Sequence, residues 1–238
     1  PEMPEILNDI GGVLISLDQR EKGMELIRKS LKGLSGNKVA YSNYLFRCHY
    51  ADELDCEELF TEHRNWAKIN ADVDFIKDHK NDPDPKRKLR IGYISPDYRL
   101  HPIGILMNPI FKKHNREKFE VFGYSNVQEW DFFTDVMKKN VDTYRLITGQ
   151  DTQKVVEMIL EDKIDILIDL AGHTGNNRLD VMAHKPAPVQ VTYLGYFDTT
   201  GLEQIDYFLT DRQISPSESQ KYHTEKLFYM PDTCLSYQ

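Results

Sequence analysis

Cysteine is scarce in this chain of 238 residues, and Cys48, Cys56 and Cys234 are odd in number and widely spaced. That excludes a disulfide framework and a Cys-paired zinc site, and makes reduced thiols in a cytoplasmic protein the expectation, with a nuclear address as well in a eukaryote. No Asn-x-Ser/Thr sequon occurs, in keeping with an intracellular location. Long apolar runs are missing too: none approaches the roughly 18 residues of a membrane-spanning helix. The opening Pro-Glu-Met-Pro-Glu-Ile-Leu-Asn-Asp has neither the basic nor the apolar region of a secretory signal. It begins without Met, so the sequence is expected to start inside a longer protein. An excess of basic charge is likewise absent. The formal net charge is -8, which argues against a general nucleic-acid binder while leaving room for a local basic pocket. Several catalytic signatures are missing: Gly-x-Gly-x-x-Gly after a strand, a Walker loop, a Gly-x-Ser-x-Gly elbow and His-Glu-x-x-His. What is present is ordinary globular material, 40% hydrophobic and 29% charged, in a length that can bury a substantial core.

The first third reads as helical. Leu7, Ile10, Leu14 and Leu17, then Met24, Ile27 and Leu31, recur at helical spacing over 5–34, with a short connection at Asp18-Gln-Arg. Small residues at Gly11, Gly23 and Ser30 give this pair the look of a tetratricopeptide repeat. A single such repeat needs stacking neighbours to bury its face. Two more helices are expected over Lys38–Tyr50 and Asp55–Asn70, the second capped by Asp55 with Glu57 and Glu58 in its first turn. The polar, proline-bearing stretch 77–88 marks a boundary between a helical segment, 1–76, and a second unit, 89–238. From Leu89 short apolar runs alternate with helix-length segments. Strands are expected at Leu89–Ile94, Phe119–Tyr124, Thr143–Ile147, Ile164–Leu170 and Val189–Leu194, with an edge strand at Ile205–Leu209. Helices fill Ile103–His114, Asp131–Lys139, Thr152–Asp162 and Arg178–His184. This is the pattern of a parallel α/β sheet with right-handed crossovers, a Rossmann-like lobe.

In such a sheet the loops at the carboxyl ends of the strands form the ligand crevice. The first of these loops, Ser95-Pro-Asp-Tyr-Arg-Leu-His-Pro102, sets Asp97 four residues before His101. A carboxylate that orients an imidazole makes a general base or proton relay, although the same pattern serves a helix cap and a surface histidine equally well. The second, Asp169-Leu-Ala-Gly-His173-Thr174-Gly-Asn-Asn-Arg178, has glycines that allow close approach and a helix start that suits an anion or a sugar hydroxyl. A polar turn around a satisfied Asp169 is the alternative. The third follows Pro186 and Pro188 and runs from Gly195 to Gly201, offering the Thr199 and Thr200 hydroxyls. His63, on an apolar helix face, reads first as a packed core histidine. A metal-dependent hydrolase built on His101, His173 and Asp97 is the outlying alternative.

Taken together, the stretches 89–102, 119–125, 164–178, 185–196 and 199–201, with Asp206-Tyr and Thr210-Asp, resemble the SPINDLY and O-linked N-acetylglucosamine transferase family. Leu59-Phe-Thr-Glu-His-Arg-Asn-Trp-Ala is similar to the family's segment between repeats and catalytic region. The resemblance implies the first of two Rossmann-like lobes of an inverting, metal-independent glycosyltransferase preceded by tetratricopeptide repeats. The donor would be UDP-N-acetylglucosamine, or GDP-fucose as in the SPINDLY branch, bound mainly through a second lobe, and the acceptor a protein Ser or Thr. A non-catalytic binding module is the reading from another class. The resemblance casts His101 as the active-site histidine once taken for a base, Asp97 as a relay to solvent and His63 as a second cleft histidine. It sets His173 near the acceptor and Gly195 in a cleft-lining loop, and with the three strand-end loops this makes Pro102, His173, Thr174, Arg178, Gly195, Tyr196, Thr199 and Thr200 the expected cleft lining. One departure is plain: Phe197-Asp198 stands where the family usually has Pro-Gly, a change expected to alter acceptor fit or to repel an anionic partner.

Overall fold

The structure, a computed structural model, describes residues 4–33, 37–50 and 54–236. The end of the first predicted helix pair at residue 34 and the last two residues of the predicted lobe lie outside the described residues.

Helices α1 (Pro4–Ser16) and α2 (Arg20–Gly33) form the expected antiparallel pair. Gly11 and Gly23 face each other so closely that a Cβ on either would fall within 2.7 Å of the other's carbonyl oxygen. Helices α3 (Lys38–Cys48) and α4 (Cys56–Asn70) follow. Asn37 caps α3 by accepting from the Val39 and Ala40 N–H groups. Asp55 and Glu58 close a reciprocal capping box at the start of α4. Residues 71–84 carry no helix or strand. The stretch before the sheet is nevertheless pinned, because Asn81 and Arg87 both bind Asp165, the latter through two short N–H···O contacts of 2.6 Å.

The sheet comprises β1 (Leu89–Ser95), β2 (Phe119–Ser125), β3 (Thr143–Leu146), β4 (Ile166–Asp169), β5 (Val189–Tyr193), β6 (Tyr207–Thr210) and β7 (Lys226–Tyr229), in the order β3-β2-β1-β4-β5-β6-β7 and parallel throughout. Helices α5 (Pro102–Lys113), α6 (Phe132–Lys138), α7 (Thr152–Glu161) and α8 (Leu179–Ala183) make the crossovers. One expectation is corrected: β6 is not an edge, because β7 pairs beyond it. The missing strand is only four residues long, and it follows a polar stretch with a single 3-10 turn at Ser217–Tyr222 instead of a crossover helix. The chain runs from β1 outward to β3, then returns to β4 on β1's other side. The crevice of an open α/β sheet lies at this reversal.

Side chains from both faces of the sheet are covered, as a parallel sheet requires. One apolar cluster joins Ile91, Met107, Phe111 and Val121 with Met137 of α6. The other joins Ile94, Phe122, Leu167, Val181 and Met182 to Met24, Leu45 and Trp66 of the helical segment. The four leading helices thus share a core with the sheet.

Candidate active site

The loops after β1, β2, β4 and β5 enclose a cleft of about 450 Å³ at the reversal point. Its walls include Asp97, Arg99 and His101 from the first loop, Gln128 and Glu129 from the second, Thr174 to Asn176 from the third, and Gly195 from the fourth. Phe46 of α3 completes it, so the helical segment supplies an aromatic wall.

The Asp97–His101 pair is built by the strand-to-helix turn. The Asp97 N–H donates to Ser95 Oγ at 3.0 Å, folding the chain back before α5 begins. His101 is the N-cap of α5, its Nδ1 accepting from the Ile103 N–H at 3.3 Å, with Pro102 in the first helical turn. Asp97 Oδ2 lies 3.5 Å from the same Nδ1, and Asp97 Oδ1 lies 3.9 Å from Arg99 Nε. Burial pushes the Asp97 carboxyl above its ordinary range, against the pull of His101 and Arg99. The tautomer follows from these contacts. A neutral imidazole that accepts at Nδ1 carries its proton on Nε2, so in this geometry His101 is a hydrogen-bond donor at Nε2. A base at Nε2 requires the proton on Nδ1 instead, where Asp97 is the waiting acceptor. The pair thus offers two arrangements, capping with the proton on Nε2 or paired to Asp97 with the proton on Nδ1, and interchange between them exchanges protons with solvent.

A second cluster lies behind the cleft, buried except at its edge, where His49 is exposed. His63 Nδ1 is 2.7 Å from the Leu59 carbonyl, which fixes its proton there and leaves Nε2 to accept from the Tyr196 hydroxyl, also at 2.7 Å. His49 Nε2 is 2.9 Å from the same hydroxyl and, since the phenol has one proton, must be the donor. His173 uses both nitrogens. Its Nε2–H points to the Thr200 carbonyl at 2.9 Å, and its Nδ1 takes the Ser42 hydroxyl at 3.0 Å. The ring also meets Trp66 edge-on, 4.7 Å between centroids. Burial pushes His49, His63 and His173 below their ordinary values. Asp169, wholly buried at the end of β4, accepts from the Ala171 and Gly172 N–H groups and the Thr192 hydroxyl, yet burial still raises it to about 6.

Several predicted cleft residues are therefore not in the cleft. Thr174 and Gly195 line it with Asp97 and His101. His63, His173, Tyr196, Thr199 and Thr200 are at most 2% exposed and face the helices or the neighbouring loop. The threonine hydroxyls are committed to the buried Glu225: Thr199 Oγ1 donates to it at 2.6 Å, and Thr200 donates through both its N–H, at 2.8 Å, and its hydroxyl. Arg178 is buried at the start of α8, 3.2 Å from Asp180, and Pro102 faces solvent on α5. Asp198 does not project into the cleft either. Its carboxylate accepts from the Thr199 N–H and faces His49 Nε2 at 3.8 Å and His223 Nε2 at 4.0 Å, while Phe197 is exposed. Asp198 is thus turned toward the histidines, away from the residues that line the cleft. His101, Asp97 and His173 do not form a ligand set. Among the described residues, the trio that brings metal-ligating atoms together is His49, His63 and Asp198, within 4.8 Å of one another, with the Tyr196 hydroxyl between the two imidazoles. Phe46, His49, Ser42, Arg99, Gln128 and Glu129 were missed. Ser42 and Phe46 on α3 carry no chemical signal in sequence, His49 lies just past that helix with no motif around it, and Arg99 is visible only as a neighbour of Asp97.

Comparison with known proteins gives a consistent result. Residues 67–236 match the model of glycosyl transferase family 41. A Petunia hybrida protein named as a probable UDP-N-acetylglucosamine–peptide N-acetylglucosaminyltransferase SPINDLY is 39% identical over 206 residues, covering 84% of this chain and 22% of that protein. The Arabidopsis thaliana protein SEC, named for the same probable activity, is 37% identical over 149 residues, 61% of this chain and 15% of its own. Among solved structures, an O-GlcNAc transferase mutant of Thermobaculum terrenum superposes with a TM-score of 0.94 at 33% identity, over 98% of this chain and 45% of that one. The chain thus spans about a fifth of the length of the curated relatives it matches.

Proposed function

This chain belongs to glycosyl transferase family 41, and from that premise we propose that it forms the acceptor-side lobe of a protein O-glycosyltransferase. The reaction moves N-acetylglucosamine from UDP-N-acetylglucosamine to Ser or Thr hydroxyls of proteins, with inversion, without a metal and in the cytoplasm. The observation that carries this reading is the Asp97–His101 turn standing open in the cleft at the sheet's reversal point. The acceptor oxygen attacks the anomeric carbon as the bond to the diphosphate breaks, and the hydroxyl proton has to leave. Asp97, whose raised carboxyl holds a proton more readily than an exposed one, passes it toward solvent. His101 donates from Nε2 to an oxygen of the reacting groups. Arg99 is the cation on this wall, and a second lobe supplies the nucleotide site and the remaining charge needed by the departing diphosphate. No helix among the described residues is long and apolar enough to cross a membrane, and neither nucleic acid nor lipid enters the scheme.

The test is a donor screen on the full-length protein that carries this chain, with mass spectrometry of modified acceptors. Transfer of a HexNAc mass from UDP-N-acetylglucosamine is the expected result. Transfer of deoxyhexose from GDP-fucose reassigns the donor to the SPINDLY-type alternative. No transfer from either donor by a well-folded full-length protein overturns the enzymatic reading in favour of a binding module.

A further inference from the structure

The geometry points to His173 and Tyr196 as positioning residues through which helices α3 and α4 hold two of the cleft's walls in register. The inference rests on the reading of that cleft as the reacting site. It starts from chain adjacency. His173 immediately precedes Thr174, and Tyr196 immediately follows Gly195, both cleft residues. Successive Cα atoms are a fixed ~3.8 Å apart, so what holds one of these residues holds its neighbour. Neither tether is made to the sheet. His173 is clamped by Ser42 of α3 on one side and by the Thr200 carbonyl on the other. Tyr196 is held through its hydroxyl by His49, at the C-terminal cap of α3, and by His63 of α4. The two segments also touch each other. Gly172 sits at φ +54, where a Cβ would fall 2.4 Å from Tyr196 Cβ.

The proton directions make both tethers specific. Leu59 forces His63 to accept, Tyr196 therefore donates to His63, and His49 donates to Tyr196. His173 has the opposite tautomer, with its proton on Nε2. The bonds of His173 to Ser42 and Thr200 and of Tyr196 to His63 are buried, while that of Tyr196 to His49 is part-buried. A change at one end of a buried bond leaves an unpaired group at the other. A general apolar contact would let the segments slide, whereas these bonds fix distance and direction. Misplacement of reacting groups by about 1 Å can cost about 10²-fold in rate, so the helices act as part of the active site's frame. Phe46, between Ser42 and His49 on α3, brings the same helix directly into the cleft.

The experiment uses the full-length protein with Ser42→Ala, Ser42→Thr and Tyr196→Phe, each a change of one or two atoms. Hydrogen exchange followed by mass spectrometry reads the segments 173–178 and 195–200, and steady-state kinetics reads turnover separately from donor KM. Ser42→Ala should speed exchange in 173–178 and Tyr196→Phe in 195–200, each about tenfold or more, with α5 and α7 unchanged. Turnover should fall about 10- to 100-fold at little change in donor KM, and Ser42→Thr, which keeps the hydroxyl, should restore most of it. Unchanged exchange in both segments overturns the proposal, as does an increase spread evenly over the sheet, which would mark simple destabilisation. The exchange measurement needs no substrate. If the wild-type protein transfers no sugar, the enzymatic reading fails while the tethering is still judged by exchange.

Discussion

At the residue scale, His101 carries two roles that one substitution would confound. Its Nδ1 caps α5, and loss of an N-cap costs about 1 kcal/mol. In the proposed reaction its Nε2 is the donor to the reacting groups. His101→Asn separates them, because asparagine is among the best N-caps but offers no imidazole. Stability should drop by about 1 kcal/mol in His101→Ala and stay near wild type in His101→Asn. Turnover of the full-length enzyme should fall at least tenfold in both, measured by donor consumption beside urea unfolding. Asp97→Asn should lower turnover with the fold intact; unchanged rates in these variants would remove both residues from the mechanism. This pair was legible in sequence because the contact is local, four residues apart in one turn. The roles of His173, Thr199 and Thr200 were not. Sequence places a residue in a loop at the correct end of a strand, but which way its side chain turns depends on partners such as Ser42 and Glu225, distant in the chain.

At the scale of elements, the loop from Gly195 to Gly201 shows how a short segment is seated. Gly201 adopts φ +77, and a Cβ there would lie 2.3 Å from the His63 carbonyl oxygen. Both the left-handed backbone and the contact with α4 demand glycine. Gly201→Ala combines a penalty of roughly 1–2 kcal/mol for the left-handed conformation with a backbone overlap that has no flexible side chain to yield. Chemical denaturation should show a loss of about 2 kcal/mol or more; a loss below the conformational penalty alone would mean that the loop does not rest on α4 as described. Helix and strand periodicity made most elements readable, including the helix that Asp55 caps and the Leu89–Ile94 strand, which the structure extends to Ser95. β7 escaped because Lys226–Tyr229 is short and no crossover helix announces it.

At the scale of the whole molecule, the desolvated histidines and the shared core make two measurable demands. Burial depresses the pKa values of His49, His63 and His173, so the unfolded chain binds more protons than the folded one as pH drops below about 6.5. Stability must then fall with falling pH. Asp169, raised to about 6, acts in the opposite sense, favouring the fold as pH falls through its own range. Between pH 7.5 and 6 Asp169 becomes at most about half protonated in the fold, while the unfolded chain protonates three histidines, so the histidines outweigh it. The urea midpoint should move down across that window; an unchanged or rising midpoint would contradict the neutral network. The second demand concerns the polar stretch 77–88, which in sequence marks a boundary between a helical segment and a second unit. Trp66 is 1% exposed and shares its cluster with Leu179, Val181 and Met182. Removing 1–76 would therefore strip one face of the sheet layer rather than release an independent lobe. Loss of a buried Trp alone costs about 3–5 kcal/mol, comparable to much of the net stability of an ordinary domain. A chain of residues 77–238 should bind a hydrophobic dye and lack a cooperative thermal transition. A sharp transition within a few degrees of the full chain's would show instead that the helices are an appendage, and the positioning of the cleft by α3 and α4 would lose its structural basis.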